Sequence, residues 1–255
     1  MSNRYIVSIR GRAISALCLI SLLSVGSFQA TAQEMPENLQ FYPKDMTRAE
    51  VVSEMRHFSF ALGVRCSHCH VRQPEGSGLS GLDFPNDDNP NKDKARFMLR
   101  MMETINDELL PGLSDRDDPA VEVTCKTCHR GTAKPRILSQ ELLLAAHEGG
   151  GEAAVEKFQE LRENYDNSGA YDFGEWETNT VAERLAAADQ HQDAITVYRM
   201  NAELFPESAS IWAGIGESYE ALEDIPSAIE AYEKGLSIDS RRRDIQANLA
   251  RLKGE

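Results

Sequence analysis

The sequence lacks any apolar run with the length and purity of an ordinary membrane span. It is also short of basic residues, with 27 lysines and arginines against 41 aspartates and glutamates, so its formal net charge is −14. A chain this acidic argues against nucleic acid as a partner, because the phosphates would repel it. The acidity favours docking to a basic or neutral protein surface, although solubility alone explains it equally well.

The first 32 residues have the pattern of a secretory signal peptide. Arg4, Arg10 and Arg12 give a positive start, residues 13–28 form an apolar core diluted by serines, and residues 30–32 offer a small-x-small cleavage site. We therefore expect export to the periplasm, with membrane association if the segment is not cleaved. Its removal takes away three arginines and no acids, which changes the net charge from −14 to −17.

Cysteine is scarce: the chain has five, of which Cys18 lies inside the signal segment. The other four form two C-x-x-C pairs, each followed directly by a histidine, namely Cys66, Cys69 and His70, and Cys125, Cys128 and His129. C-x-x-C-H is the attachment signature of c-type haem, in which two thiols bond to one porphyrin edge and the histidine becomes the proximal iron ligand. The sequence therefore predicts two covalently bound haem c groups.

The cysteines have three other interpretations. Four cysteines could bind one zinc ion, but 55 residues separate the two pairs, and zinc does not require a histidine after each pair. Two disulfides would suit an exported protein but leave the histidines unexplained. A thioredoxin-like redox motif needs a βαβ context, which the sequence does not offer.

A helix is predicted ahead of each motif. Thr47 and Glu50 form a capping-box pattern, and apolar residues at helical spacing predict a helix over residues 48–62 that Gly63 ends. Residues 72–91 are rich in Gly, Pro, Asn and Asp and should form a loop. A second helix should then cover residues 92–110, so the plan of helix, connector and C-x-x-C-H occurs twice.

Both predicted helices carry methionines that could supply the sixth iron ligand. Met55 lies on the first helix, eleven residues before Cys66. Met98, Met101 and Met102 lie on the second, and their spacing alone does not choose among them. Filling of the core is an equally good explanation of any of these side chains.

Several short segments between residues 41 and 135 match one family: Met55-Arg56, Leu62-Gly63-Val64-x-Cys66, Ala95-Arg96-x-Met98-Leu99-x-Met101, Ile105-Asn106 and Val123-Thr124-Cys125-x-Thr127-Cys128-His129-Arg130-Gly131. They resemble the cytochrome subunit of photosynthetic reaction centres. That family has helix-borne methionines before three of its four haem motifs, so the resemblance implies Met55 and Met98 as axial ligands. This chain has two haem motifs, and the resemblance therefore implies a dihaem electron-transfer module without implying photosynthesis.

After Pro135 the composition changes to Ala, Glu, Leu and Gln, and a 34-residue period appears. Ala194 recurs as Ala228 and Tyr198 as Tyr232, and the residues that follow the tetratricopeptide pattern are Trp212, Gly216, Tyr219 and Ala228. Two further helices are predicted near residues 140–147 and 152–165 as a degenerate first copy, and the segment after Ser240 is predicted to form a capping helix. An unrelated helical bundle is the alternative.

These patterns predict a mainly α protein with a signal peptide (1–32), a dihaem cytochrome c domain (33–137) and a tetratricopeptide-like α-solenoid (138–255). The expected function is electron relay between a donor and an acceptor redox protein, without catalysis, while the repeats dock a protein or peptide. A membrane-bound redox complex is one candidate partner. The alternatives are a peroxidase-like dihaem enzyme with one open iron, for which His57 and His68 are available, and a haem-containing scaffold protein.

Overall fold

The computed structural model describes residues 36–116 and 118–254, so the predicted signal peptide lies outside the described residues. The first part of the described chain contains α1 (Arg48–Leu62), a 3₁₀ turn (Cys66–His68), β1 (Val71–Arg72), β2 (Leu82–Asp83), α2 (Pro90–Thr104), a π turn (Ile105–Leu109), a second 3₁₀ turn (Leu110–Gly112) and α3 (Cys125–His129). The second part contains α4 (Leu138–Tyr165), α5 (Glu175–Ala187), α6 (His191–Leu204), α7 (Ala209–Ala221), α8 (Ile225–Ile238) and α9 (Arg243–Lys253). The predicted mainly α fold is confirmed.

Helix α1 begins and ends at the predicted residues. The Glu50 carboxylate accepts the backbone N–H of Thr47 at 2.8 Å, while the Thr47 hydroxyl accepts the N–H of Glu50 at 3.4 Å. This reciprocal pair satisfies two backbone donors that the helix itself leaves free. At the other end Gly63 has a φ of 65°, a left-handed conformation that glycine adopts without steric cost.

Helix α2 begins at Pro90, two residues before the predicted start, because the Asn89 side chain caps it by accepting the N–H of Asn91 at 3.0 Å. The helical path continues past Thr104 through the π turn and the second 3₁₀ turn, close to the predicted end. The predicted loop before α2 contains a short antiparallel hairpin, in which Val71 lies opposite Asp83.

The 34-residue period corresponds to two helical hairpins, α5–α6 and α7–α8, whose first helices begin at Glu175 and Ala209. Gly216 packs against the ring of Tyr232 so closely that an added Cβ would lie 2.5 Å from a ring carbon. The small residue of one helix therefore makes room for the large residue of the next. This is the helical stacking expected of an α-solenoid.

The degenerate first copy is a kinked helix in the structure. Gly149 and Gly150 leave helical geometry inside α4, and the N–H of Gly151 then donates to Asp193 Oδ1 at 2.7 Å. Ala154 and Phe158 of this helix are buried in one cluster with Ala194 and Tyr198 of α6. Three hairpin-like units therefore stack, and α9 follows the last of them.

The apolar core lies almost wholly in the repeats. Of the 26 buried apolar side chains in the described ranges, 22 come from Leu138 onward and four precede it. No helix in the described part of the chain is long and apolar enough to cross a membrane.

Candidate haem-attachment sites

Both C-x-x-C-H motifs fold into a single helical turn. In the first, the N–H of His70 bonds the carbonyl of Cys66 at 3.0 Å, and in the second the five residues Cys125–His129 form α3. A helical turn brings residues i, i+3 and i+4 to one side. Among the described residues, Cys66, Cys69, Cys125 and Cys128 form no disulfide. Two thiols on one side suit thioether attachment to one porphyrin edge, and an imidazole on the same side suits ligation of the iron.

The ring of His129 is oriented as an iron ligand requires. Its Nδ1 lies 3.0 Å from the carbonyl oxygen of Thr132, and the Thr132 hydroxyl donates back to the carbonyl of His129 at 2.8 Å. Because a carbonyl only accepts, Nδ1 carries the proton and Nε2 keeps its lone pair. A backbone bond of this type fixes the tautomer and direction of a metal-binding histidine.

His70 is half-buried, and its ring meets that of Phe84 edge-on with centroids 4.8 Å apart. Burial lowers the pKa of His70 and nearby Lys92 lowers it further, while the backbone of Phe84 acts in the opposite direction. The neutral imidazole, which is the ligand form, is therefore favoured. Its Nδ1 is buried without a well-formed hydrogen bond to any described residue.

The candidate sixth ligands all lie on the predicted helices. Met55 lies on α1 and is partly exposed. On α2, the side chains of Met98 and Met101 are 43% and 42% exposed, whereas Met102 is partly buried. The exposure of Met98 and Met101 does not fit the core-filling explanation. Iron ligation by any of these methionines stays a prediction.

A backbone hydrogen bond connects α1 to the turn after the second motif, and the sequence patterns did not predict this contact. The N–H of Gly131, just after α3, donates to the carbonyl of Ala61 at 2.8 Å. Burial raises the pKa of Tyr42, and the nearby Glu54 and Cys125 raise it further. The Arg130-Gly131 pair after the second motif was the available sequence signal.

Asparagine side chains link both motifs to α2, and these contacts were not predicted either. At the start of the helix, Asn91 and Asn89 each donate a side-chain N–H to the carbonyl of His68, at 2.9 and 3.1 Å. After its end, Asn106 bonds both backbone groups of Val123, two residues before Cys125.

The exposed apolar surface is concentrated around the motifs. Of the 14 large apolar side chains that are exposed in the described ranges, 11 precede Leu138, including Phe60 and Phe97. A segment with few buried apolar side chains and many exposed ones is poorly stabilised as a bare polypeptide. The composition of this surface fits two large apolar prosthetic groups that the segment would enclose.

Comparison with known proteins agrees with this chemistry. Residues 29–136 match the family of the photosynthetic reaction centre cytochrome C subunit. A curated relative, the photosynthetic reaction center cytochrome c subunit of Rubrivivax gelatinosus (strain NBRC 100245 / IL144), is 32% identical over 90 residues. That match covers 32% of this chain and 22% of the relative, so the chain spans about a fifth of the relative's length. The predicted resemblance is confirmed for this segment.

Two solved structures with helical repeats are similar to part of the chain. MamA, residues 41 to the end, from Desulfovibrio magneticus RS-1 has a TM-score of 0.33 and 20% identity, over 46% of this chain and 63% of that one. The Sgt2 TPR domain from Aspergillus fumigatus has the same TM-score and identity, over 46% of this chain and 75% of that one.

Proposed function

We propose that the chain is an exported dihaem c-type cytochrome that passes single electrons between two redox proteins in the periplasm. The observation that carries the proposal is the helical turn formed by each C-x-x-C-H motif, with His129 held in the tautomer that leaves Nε2 free. The residues that would hold the two groups are Cys66, Cys69 and His70, and Cys125, Cys128 and His129. When bound, haem supplies the one-electron chemistry of iron.

We propose Met55 and Met98 as the sixth ligands. A thioether in that position would close the iron to small substrates and would raise its potential relative to a second histidine. The support comes from the resemblance and from helices that carry these methionines ahead of each motif. Coordinatively closed irons suit a carrier better than an enzyme.

The residues available for a peroxidase-like site are already engaged or exposed. The His57 side chain is 69% exposed, with Nδ1 3.7 Å from a carboxylate oxygen of Glu54. The His68 ring lies against Asn91, with Nε2 3.3 Å from its side-chain nitrogen. The family match, which is to a cytochrome subunit, favours the carrier as well.

The charge of the chain supports a docking role for the proposed repeat domain, residues 138–255. This segment has 24 acidic and ten basic residues, a net charge of −14, whereas residues 33–137 have 17 acidic and 14 basic residues, a net charge of −3. The strongest field therefore comes from the repeats. We propose that they attract a basic redox protein or basic peptide, since complementary potentials steer encounter.

Absorption and magnetic circular dichroism spectra of the full chain, produced in a host that attaches haem c, test the proposal. Two low-spin haems in both redox states are expected. A high-spin haem that binds cyanide or carbon monoxide would favour the enzyme, and a chain without haem would overturn the cytochrome assignment altogether.

A further inference from the structure

Helix α2 is tied to a different haem motif at each end. We propose that Asn91 and Asn106 are positioning residues that fasten the two motifs to opposite ends of α2, so that this helix fixes the spacing and orientation of the two haems. The inference rests on the proposed function, because it takes both motifs to carry haem. It assigns a role in electron relay to residues that contact neither thiol nor proximal imidazole.

The tie at the second motif is a two-bond clamp. Asn106 Nδ2 donates to the carbonyl oxygen of Val123 at 2.8 Å, and Asn106 Oδ1 accepts the N–H of Val123 at 2.8 Å. A single amide that bonds both backbone groups of one residue fixes the direction of the backbone as well as its position. Since Val123 lies two residues before Cys125, the clamp sets where α3 begins.

The shape of the backbone at Asn106 is part of the clamp. α2 ends at Thr104, and Asn106 is the second residue of the π turn that follows. Wider turns of this kind inside helices change the direction in which side chains leave the axis, and they occur often at functional sites. The π turn thus presents the amide to residues 17 positions further along the chain.

The tie at the first motif is made at the other end of α2. Asn91 Nδ2 donates to the carbonyl of His68, inside the first motif, at 2.9 Å, and Asn89 adds a bond of 3.1 Å to the same oxygen. The next residue, Lys92, donates to the carbonyl of Phe84 at 2.9 Å, and the ring of Phe84 packs on His70. The attachment sequence is therefore held through both its backbone and its imidazole.

The helix between the ties is a spacer of defined length. The 15 residues Pro90–Thr104 rise about 1.5 Å each, which gives about 22 Å between the ends. A helix is far stiffer than a loop of that length. The bond from Gly131 to the carbonyl of Ala61 is a separate link, from the second motif to α1. Loss of the Asn106 clamp should therefore shift the second motif without releasing it.

The test compares Asn106→Ala with Asn106→Asp and with the control Asn164→Ala in the full haem-loaded chain. In Asn106→Asp the new carboxylate would accept the Val123 N–H but could not donate to its carbonyl. This variant therefore keeps half of the clamp and provides a milder change if Asn106→Ala does not fold. Asn164 lies on α4, where its side chain bonds only the nearby carbonyl of Glu160 among the described contacts.

We expect Asn106→Ala to keep two haems, to move one of the two midpoint potentials and the corresponding low-spin band, and to leave the other haem unchanged. Asn106→Asp should show a smaller shift, and Asn164→Ala none. Hydrogen exchange in the peptide that contains Val123 should speed up at least tenfold in Asn106→Ala. Unchanged potentials and exchange, or equal shifts at both haems, would overturn the inference.

The outcomes also separate this inference from the proposed function. If the wild-type chain carried no haem, the proposed function would fail, and Val123 exchange would still report on the clamp. If the wild type carried two low-spin haems and Asn106→Ala matched it in potentials, spectra and exchange, only the positioning role would fail.

Discussion

The carbonyl oxygen of Ala61, in the last turn of α1, accepts a hydrogen bond of 2.8 Å from the N–H of Gly131, two residues past His129. This bond joins residues 70 positions apart in the chain. It places the helix that leads into the first motif against the turn that follows the second. The two C-x-x-C-H sequences therefore belong to one interlocked unit, and a change at this junction should affect both.

Gly63→Ala should destabilise the protein more than Gly78→Ala. Both glycines have positive φ, of 65° and 57°, where an alanine costs about 1 kcal/mol. A Cβ on Gly63 would also collide with the backbone of Gly131, whereas nothing lies within 4 Å at Gly78. Overpacking typically costs a further ~1–3 kcal/mol. The melting temperature of haem-loaded Gly63→Ala should therefore lie well below that of haem-loaded Gly78→Ala. Equal melting temperatures would mean that the junction can relax freely.

Met98→Ala should convert one haem from low-spin to high-spin, because the iron would lose its thioether ligand. Met101→Ala and Met102→Ala serve as matched controls, since they lie on the same helix, one turn further along. Magnetic circular dichroism in the near infrared detects the change. If Met101→Ala or Met102→Ala lost the signal instead, that residue would be the ligand and the assignment of Met98 would be wrong.

Glu217→Gln should stabilise the protein at pH 7 and lose that advantage in acid. Partial burial raises the pKa of Glu217 above its ordinary value of 4.5, and the carboxylates of Asp244, Glu220 and Glu183 raise it further. A raised folded-state pKa means that the ionised form weakens the fold, and this penalty disappears as the pH falls through the folded pKa towards 4.5.

The gain from Glu217→Gln should stay below about 1 kcal/mol, because the residue is exposed enough for water to screen its neighbours. Thermal unfolding at pH 7 and pH 4 measures it. Glu230→Gln, on the exposed surface of α8, provides the control. A larger gain for Glu217→Gln at pH 4 than at pH 7 would contradict the sign of the shift.

Docking through the repeats should depend on the same carboxylates. With a small basic c-type cytochrome as the probe, Glu183→Lys with Glu217→Lys should slow association several-fold at low salt and flatten its salt dependence, because long-range attraction sets the encounter rate. A double variant with lysines in place of Glu152 and Glu230 makes the same change in total charge elsewhere. If both double variants slowed association equally, the total charge of the chain, rather than the position of Glu183 and Glu217, would steer the probe.

The features that could be predicted from the sequence are those whose signals are local. The bounds of α1 followed from Thr47, Glu50 and Gly63, which act within one or two turns of the helix. The repeats were predicted from a sequence period that recurs in each hairpin, as with the buried residues Ala194 and Ala228. Helix capping and periodic burial depend on residues that are close in sequence. Their signals can therefore be recognised in a single sequence.

The features that were not predicted depend on contacts between distant segments. The β1–β2 hairpin forms where the backbones of Gly76 and Gly81 come too close for a side chain on either. The Asn106–Val123 clamp and the Ala61–Gly131 bond each pair one side-chain or backbone group with a segment far along the chain. Such pairs have no period and no fixed spacing, so the sequence offered at most the glycines as a signal.

The intact mass and haem content of the full chain, from an exporting host that attaches haem c, test the assignment of two haems most directly. We predict a mass increase of two haem groups. The double variants Cys66→Ala/Cys69→Ala and Cys125→Ala/Cys128→Ala should each remove one haem and leave the other low-spin. Unmodified thiols in the wild type, or one metal ion shared by both pairs and lost in either double variant, would contradict it.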